Sequence, residues 1–267
     1  FERAAEIGLR CIAVTEHHVL DSQDEVAEAA RRYPSVRSVP GAELSVTTSV
    51  GAVDLLCYGF RRPWPERLSR VLDAYHAWQR ENGSAFCLGM QLLGYDFTLE
   101  HRRELLESYR PARTIAVQGL TRVRNGVLRD YLLARGFIAR PEDYGELCRR
   151  VGKAVAMPPY PNVEEVVDAV HEAGAFVAIA HPYHYFLGCE RSRMDALRHE
   201  CRLDGIECAH PKVPKELTPV YRAYCVEHGL FSVAGSDSHT PDDYQSQLGR
   251  HSGQLEWLDE FLARAAG

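Results

Sequence analysis

Short apolar runs alternate with amphipathic stretches from Cys11 onward, a pattern that predicts strands separated by helices. CIAV (11–14) predicts a buried strand ended by the polar group Thr15-Glu16-His17-His18, and Asp24 to Arg32 predicts a helix. SVRSV (35–39) leads through Pro40-Gly41 into AELSVTTSVGAVDLLCYGF. Apolar alternation on either side of Ser49-Val50-Gly51 there predicts a hairpin, opened by Gly41-Ala42-Glu43. Further on, VEEVVDAVHEAGA predicts a helix with Gly174 near its C-cap, FVAIA (176–180) a buried strand ending at His181, and GIEC (205–208) another strand. KELTPVYRAYCVEHG predicts a helix stopped by Gly229, and LFSVA (230–234) a strand ending at Gly235. Helices between short apolar strands predict a parallel sheet covered on both faces, as a barrel or a doubly wound sheet.

The middle of the chain breaks this rhythm. PERLSRVLDAYHAWQREN, LEHRRELLESY and VLRDYLLARG have helical periodicity, and no strand pattern stands between them. The expected organisation is therefore an α/β body in two parts, 1–63 and 161–267, around a mostly helical insertion over 64–160. Charge sharpens the division. The net charge is −6, which argues against a duplex-DNA partner, yet His101 to Arg150 holds eleven Arg against six acidic residues. A basic segment beside an acidic body predicts one face for anions and another for cations. No apolar run is long enough to span a membrane. The eight cysteines form no CxxC pair, so zinc-ribbon and thioredoxin-like readings lack their spacing, and a reducing cytoplasm is the expected compartment. The chain opens at Phe1 in what reads as mid-helix, from which a beginning upstream is expected.

Polar clusters follow directly on the predicted strands: Thr15-Glu16-His17-His18, His181-Pro182, His210-Pro211 and Gly235-Ser236-Asp237-Ser238-His239, with Glu43 at the hairpin. Open-sheet and barrel α/β enzymes collect functional groups at the carboxyl ends of their strands. Imidazole mixed with carboxylate there suits zinc, manganese or iron. Asp237 and His239, spaced i, i+2, would point to one side of an extended segment. His76, His101, His171, His199, His228 and His251 fall on predicted helical or loop surfaces and are expected to be solvated. Ser236, Asp237 and His239 are too close along one turn to form a hydrolase triad, which is a spatial arrangement.

These segments resemble the polymerase and histidinol phosphatase (PHP) domain family of phosphoesterases. AAEIGLRCIAVTEHH resembles that family's helix–strand–TDH segment, VPGAELS its Gly-x-Glu motif, and AVDLLCYGF its vHlLgY strand. HEAGAFVAIAHP, DGIECAHP and GLFSVAGSDSHT match its late motifs in order and spacing, and the family's nucleotide-phosphatase branch also carries a helical insertion. The resemblance implies a distorted (β/α)7 TIM-like barrel holding two or three divalent ions of manganese, iron or zinc. Carried over residue by residue, it implies His17, Glu43, His181, Asp237 and His239 as ligands. Asp54 stands where the family has histidine and is a candidate oxygen ligand. Glu16 stands where the family has aspartate and is expected to orient His17 or nearby backbone. The family's first motif, a His-x-His strand, has no counterpart here, so the barrel is expected to lack its first strand.

The resemblance further implies a phosphoesterase in which a metal-activated water attacks a phosphate ester. A nucleotide is the expected substrate class, and a short RNA end a further one. His210 is the candidate proton donor to the leaving group, or else a group that orients a ligand. Arg122 and Arg124, placed where the nucleotide phosphatases carry a GRPH segment, are candidates to hold a second phosphate. The rival reading is a catalytically degenerate PHP module that binds a ligand or partner through the same cleft.

Overall fold

The computed structural model describes residues 1–266. The chain divides into two units, one of residues 1–72 and 161–267, the other of residues 73–160. Six strands of the first unit make one sheet in chain order: β1 (Cys11–His17), β2 (Arg37–Thr48), β3 (Gly51–Tyr58), β4 (Phe176–Ile179), β5 (Gly205–Ala209) and β6 (Phe231–Ala234). The pairs β1/β2, β4/β5 and β5/β6 are parallel, whereas β3 runs antiparallel to both its neighbours. The sheet is thus mixed rather than all-parallel, because the turn at Ser49-Val50 folds β3 straight back on β2. Among the described residues β1 and β6 are the sheet edges and do not pair with each other, so the expected barrel takes the form of an open, curled sheet. The curl follows from distance. Flat, six strands about 4.8 Å apart would separate the edges by roughly 24 Å, yet the His17 ring at the end of β1 stacks on His239, beyond β6, with centroids 5.8 Å apart.

Period-two alternation assigns the two faces. Leu44, Val46, Val53, Leu55, Cys57, Val177, Ile179, Ile206 and Cys208 are buried on the convex face. Helices Gln23–Arg31, Val163–Glu172 and Thr218–His228 pack against the strands. The concave face carries Val39, Leu56, Tyr58, Ala178 and Phe231, with Cys11, Ala13, Phe176 and Val233 packed beside them. The helix Leu255–Ala266 inserts Phe261 into this cluster, where its ring meets Tyr58, Phe176 and Phe231 edge-on. Gly205 stands against the Phe231 ring, leaving no room for a Cβ.

Several boundaries differ from the sequence expectation. β1 extends through the polar residues to His17, since each pairs with β2 up to Glu43. β2 continues through Pro40-Gly41: Gly59 N–H donates to the Pro40 carbonyl and Gln23 Nε2 to the Gly41 carbonyl. Glu43 therefore lies inside β2 rather than at the opening of a hairpin. The helix expected from Lys215 starts with a 3-10 turn (Lys215–Leu217) before the α-helix, which Gly229 ends in the left-handed conformation (φ 63°).

The second unit is helical among its described residues. Helices Leu99–Glu107, Ala112–Gln118, Asn125–Ala134 and Asp143–Ala154 join the long helix Glu66–Leu92. Their shared core is built on Phe86, Met90, Phe97, Leu106, Leu128 and Val151. No helix among the described residues is long and apolar enough to cross a membrane.

Candidate metal centre

The concave face turns from apolar to ionisable toward the carboxyl ends of β1, β2, β4, β5 and β6. Register places the change. His17 pairs with Glu43, and Ser45 one step further pairs with Asp54 on the reversed strand β3. His181 follows β4 after Ala180. Its Nε2 lies 3.2 Å from Glu43 Oε1 and 3.5 Å from Asp54 Oδ2. Donor atoms of Glu43, Asp54 and His181 all fall within 4.8 Å of one another. His17 Nε2 approaches Glu43 Oε2 at 4.0 Å, and the His17 ring links this trio to His239.

Asp237 and His239 form the other side. Asp237 is not extended as expected: its φ is 51°, in the left-handed region that aspartate tolerates better than most residues. The turn still keeps the pair close, with His239 Nδ1 3.6 Å from Asp237 Oδ1 and 2.7 Å from the Asp237 carbonyl. A proton on Nδ1 bound to that carbonyl makes Nε2 the lone-pair nitrogen. Asp237 Oδ2 accepts from Lys212 Nζ at 2.8 Å and faces His210 Nε2 at 3.6 Å. Burial alone would raise the Asp237 carboxyl, but bonds from His210 and Lys212 and the Lys212 charge hold it well below the usual carboxylate range.

His210 is 2% exposed. Its Nδ1 accepts the Lys212 backbone N–H at 2.9 Å, which puts the ring proton on Nε2, facing Asp237. Burial pushes the His181 imidazole down, but the hydrogen bond to Glu43 and the charges of Glu43 and Asp54 outweigh it and leave the net shift upward. His181 itself has a positive φ of 27°.

Four further side chains support these groups: Glu207, Ser45 and Tyr185, which the sequence reading did not single out, and His18, which it placed in the polar cluster after the first strand. Glu207, 4% exposed on the concave side of β5, accepts the His181 backbone N–H on Oε2 at 2.6 Å. Burial raises its carboxyl to about 8, opposed in part by that bond and reinforced by the Glu43 charge. Ser45 Oγ donates to Asp54 Oδ1 at 2.5 Å and Tyr185 OH to Asp54 Oδ2 at 2.8 Å. Behind Ser45, buried His18 Nε2 lies 2.9 Å from Ser45 Oγ, and burial together with the neighbouring His17 lowers its imidazole to about 3. Of the three not singled out, Glu207 alone left a sequence signal, a carboxylate inside an apolar strand.

Other expectations land elsewhere. Glu16 does not turn toward His17; it accepts from Ser22 Oγ just before the helix Gln23–Arg31. His101 caps the helix Leu99–Glu107 with Thr98, and His171 bonds Asp204 at 2.9 Å, so these two are partnered rather than simply solvated. Arg122 and Arg124 belong to the helical unit. The Arg122 guanidinium lies 5.0 Å over the Phe86 ring and reaches Asn82 and Asn125 at 3.5 and 3.4 Å. Its Nε is buried with no hydrogen-bond partner among the described residues. Arg124 lies 5.3 Å over Tyr109.

The donor chemistry fits divalent cations. Two carboxylates, Glu43 and Asp54, are held side by side with one imidazole between them, an arrangement whose negative charge a cation offsets. Lysine already supplies a cation to Asp237. Mixed imidazole and carboxylate donors suit manganese, iron and zinc alike.

No family model matches the chain. It is 24% identical over 255 residues to the 5'-3' exoribonuclease Rnm of Escherichia coli K12, a match spanning 93% of this chain and 81% of that one. Two solved structures share its fold. One is a protein from Bifidobacterium adolescentis assigned as a metal-dependent phosphoesterase, with TM-score 0.76, 22% identity and coverage of 98% of this chain and 88% of that one. The other is an amidohydrolase from Chromobacterium violaceum with bound sulfate, with TM-score 0.71, 19% identity and coverage of 97% and 89%.

Proposed function

We propose that this chain is a metal-dependent phosphoesterase of the PHP type, hydrolysing a phosphorylated nucleotide or an RNA end. The observation that carries the reading is the convergence of Glu43, Asp54 and His181 within 4.8 Å, with His17, Asp237 and His239 beside them at one end of one curled sheet. The exoribonuclease relative and the phosphoesterase neighbour support phosphate-ester chemistry. The sulfate in the amidohydrolase, a tetrahedral anion like phosphate, supports an anion-binding role for the same fold.

In this reading Glu43, Asp54 and His181 hold one divalent ion, and Asp237 and His239 contribute to a second, with His17 between them. Bound divalent ions would supply an activated water and neutralise charge on the phosphoryl oxygens. His210, with Nδ1 committed to backbone, orients Asp237 through its Nε2 proton. Glu207 holds the His181 backbone in its left-handed turn. Arg122 and Arg124 are proposed to bind phosphate, and aromatic platforms under both guanidinium groups suit that use.

Elemental analysis of the purified protein, paired with hydrolysis of 4-nitrophenyl phosphate and a 5'-phosphorylated oligoribonucleotide, tests the proposal. We expect two to three divalent ions and chelator-sensitive phosphate release. Stoichiometric metal without turnover on any phosphate ester would favour the degenerate binding module instead.

A further inference from the structure

Lys212 occupies a singular position. Its backbone N–H is fixed to buried His210, while its side chain is 53% exposed and reaches Asp237 Oδ2 at 2.8 Å. The peptide is pinned, while about half of the side chain is open to solvent. The same oxygen faces His210 Nε2 at 3.6 Å, so two positive or proton-bearing groups converge on one carboxylate. Of the chain's 31 basic residues only three are lysine, Lys153, Lys212 and Lys215. Where arginine would present a rigid fork, lysine gives a compact point charge on a flexible stem. Lys212 thus brings an exposed, flexible-stemmed ammonium to the Asp237 carboxylate.

A divalent cation and an ammonium cannot share one carboxylate oxygen at contact distance without strong repulsion. We propose that Lys212 is the counter-ion of Asp237 in the metal-free protein, and that metal binding at Asp237 releases its ammonium to bind the phosphoryl group of the substrate. The inference rests on the phosphoesterase reading. It makes Lys212 a residue with two alternative partners, a carboxylate before loading and a phosphate after. No bond is made or broken in the exchange; the ammonium only changes partners.

Two measurements on Lys212→Met test it, with Lys212→Gln as a second variant and Lys212→Arg as the conservative one. Calorimetric titration of Mn2+ into metal-free protein should show binding about threefold tighter in the Met variant, the scale of a half-exposed ion pair. In an Asp237→Asn background the Met substitution should leave Mn2+ affinity unchanged. With metal saturating, KM for 4-nitrophenyl phosphate should rise roughly tenfold with kcat less affected, as expected for loss of a charge-assisted bond to phosphate, and Lys212→Arg should recover part of it. Unchanged metal affinity, or an unchanged KM, overturns the assignment. If wild-type protein binds Mn2+ but hydrolyses no phosphate ester, the phosphoesterase reading fails instead, and a tighter Mn2+ affinity in Lys212→Met then upholds the counter-ion half alone.

Discussion

Asp54 is gripped on both oxygens, by Ser45 Oγ and by Tyr185 OH. Because Ser45 spends its one proton on Asp54, it must accept from His18 Nε2, so that nitrogen carries a proton, and burial together with His17 favours the neutral ring. The result is a hydrogen-bonded line that leaves the aspartate one orientation, facing His181. Groups behind metal ligands commonly matter about 10- to 100-fold in metal affinity. Tyr185→Phe and Ser45→Ala should therefore each weaken metal binding by roughly tenfold or more in calorimetric titration, and neither should matter once Asp54 is Asn. Equal affinity in all the single variants would remove Asp54 from the ligand set. The sequence named Asp54 as a candidate ligand and His18 in a polar cluster, but not the bonds that join them. Tyr185 lies far along the chain from Asp54, and an aspartate where a histidine was expected carries no sign of what orients it.

At the scale of elements, the places where strands approach closely decide what the sequence can reveal. Each strand was legible as an apolar run, because alternation survives in a single sequence. The extent of β1 and β2 was not, because Thr15 to His17 and Pro40-Gly41 look like turns until their ladder partners are known. Glu43 and His181 were legible as polar residues on apolar strands, but their distance was not. The approach of β5 to the turn after β6 is the tightest of these, since a Cβ on Gly235 would overlap the Glu207 carboxylate, itself bound to the His181 backbone. Gly235→Ala should cost about 1–3 kcal/mol of stability through overpacking, read as a lowered thermal midpoint, and should also weaken metal binding through His181. A second inter-element contact predicts a pH dependence. Arg222 Nη1 bonds Glu260 Oε2 at 2.7 Å, and Nη2 bonds the other oxygen, tying the helix Thr218–His228 to the helix Leu255–Ala266. The hydrogen bonds from Arg222 hold the Glu260 carboxyl below its ordinary 4.5. A depressed folded value means the pair stabilises above that ordinary value and loses its contribution as pH falls through the folded one. Glu260→Gln should lower the thermal midpoint at pH 7 by a small amount, as a partly exposed pair allows. The gap should close as the pH is taken below 4.5.

For the whole molecule, the candidate ligands come from β1, β2, β3, the turn after β4 and the turn after β6, so the sites a cation would occupy exist only when the sheet is folded. A ligand bound by the folded state and not by the unfolded one raises stability by mass action, and metal held by dispersed residues couples strongly to folding. Chelation should therefore lower the thermal midpoint, and Mn2+ or Zn2+ added back should raise it in a concentration-dependent way. At a free metal concentration 100 times the dissociation constant, the gain is about 2.7 kcal/mol per site. Glu43→Gln and Asp54→Asn separate this effect from nonspecific salt. Each removes one carboxylate from the donor set, so each should shrink the response to metal. A wild-type midpoint indifferent to both chelator and metal would dismiss a metal centre at Glu43, Asp54 and His181. A response kept in full by Glu43→Gln and Asp54→Asn would move the cation to other residues.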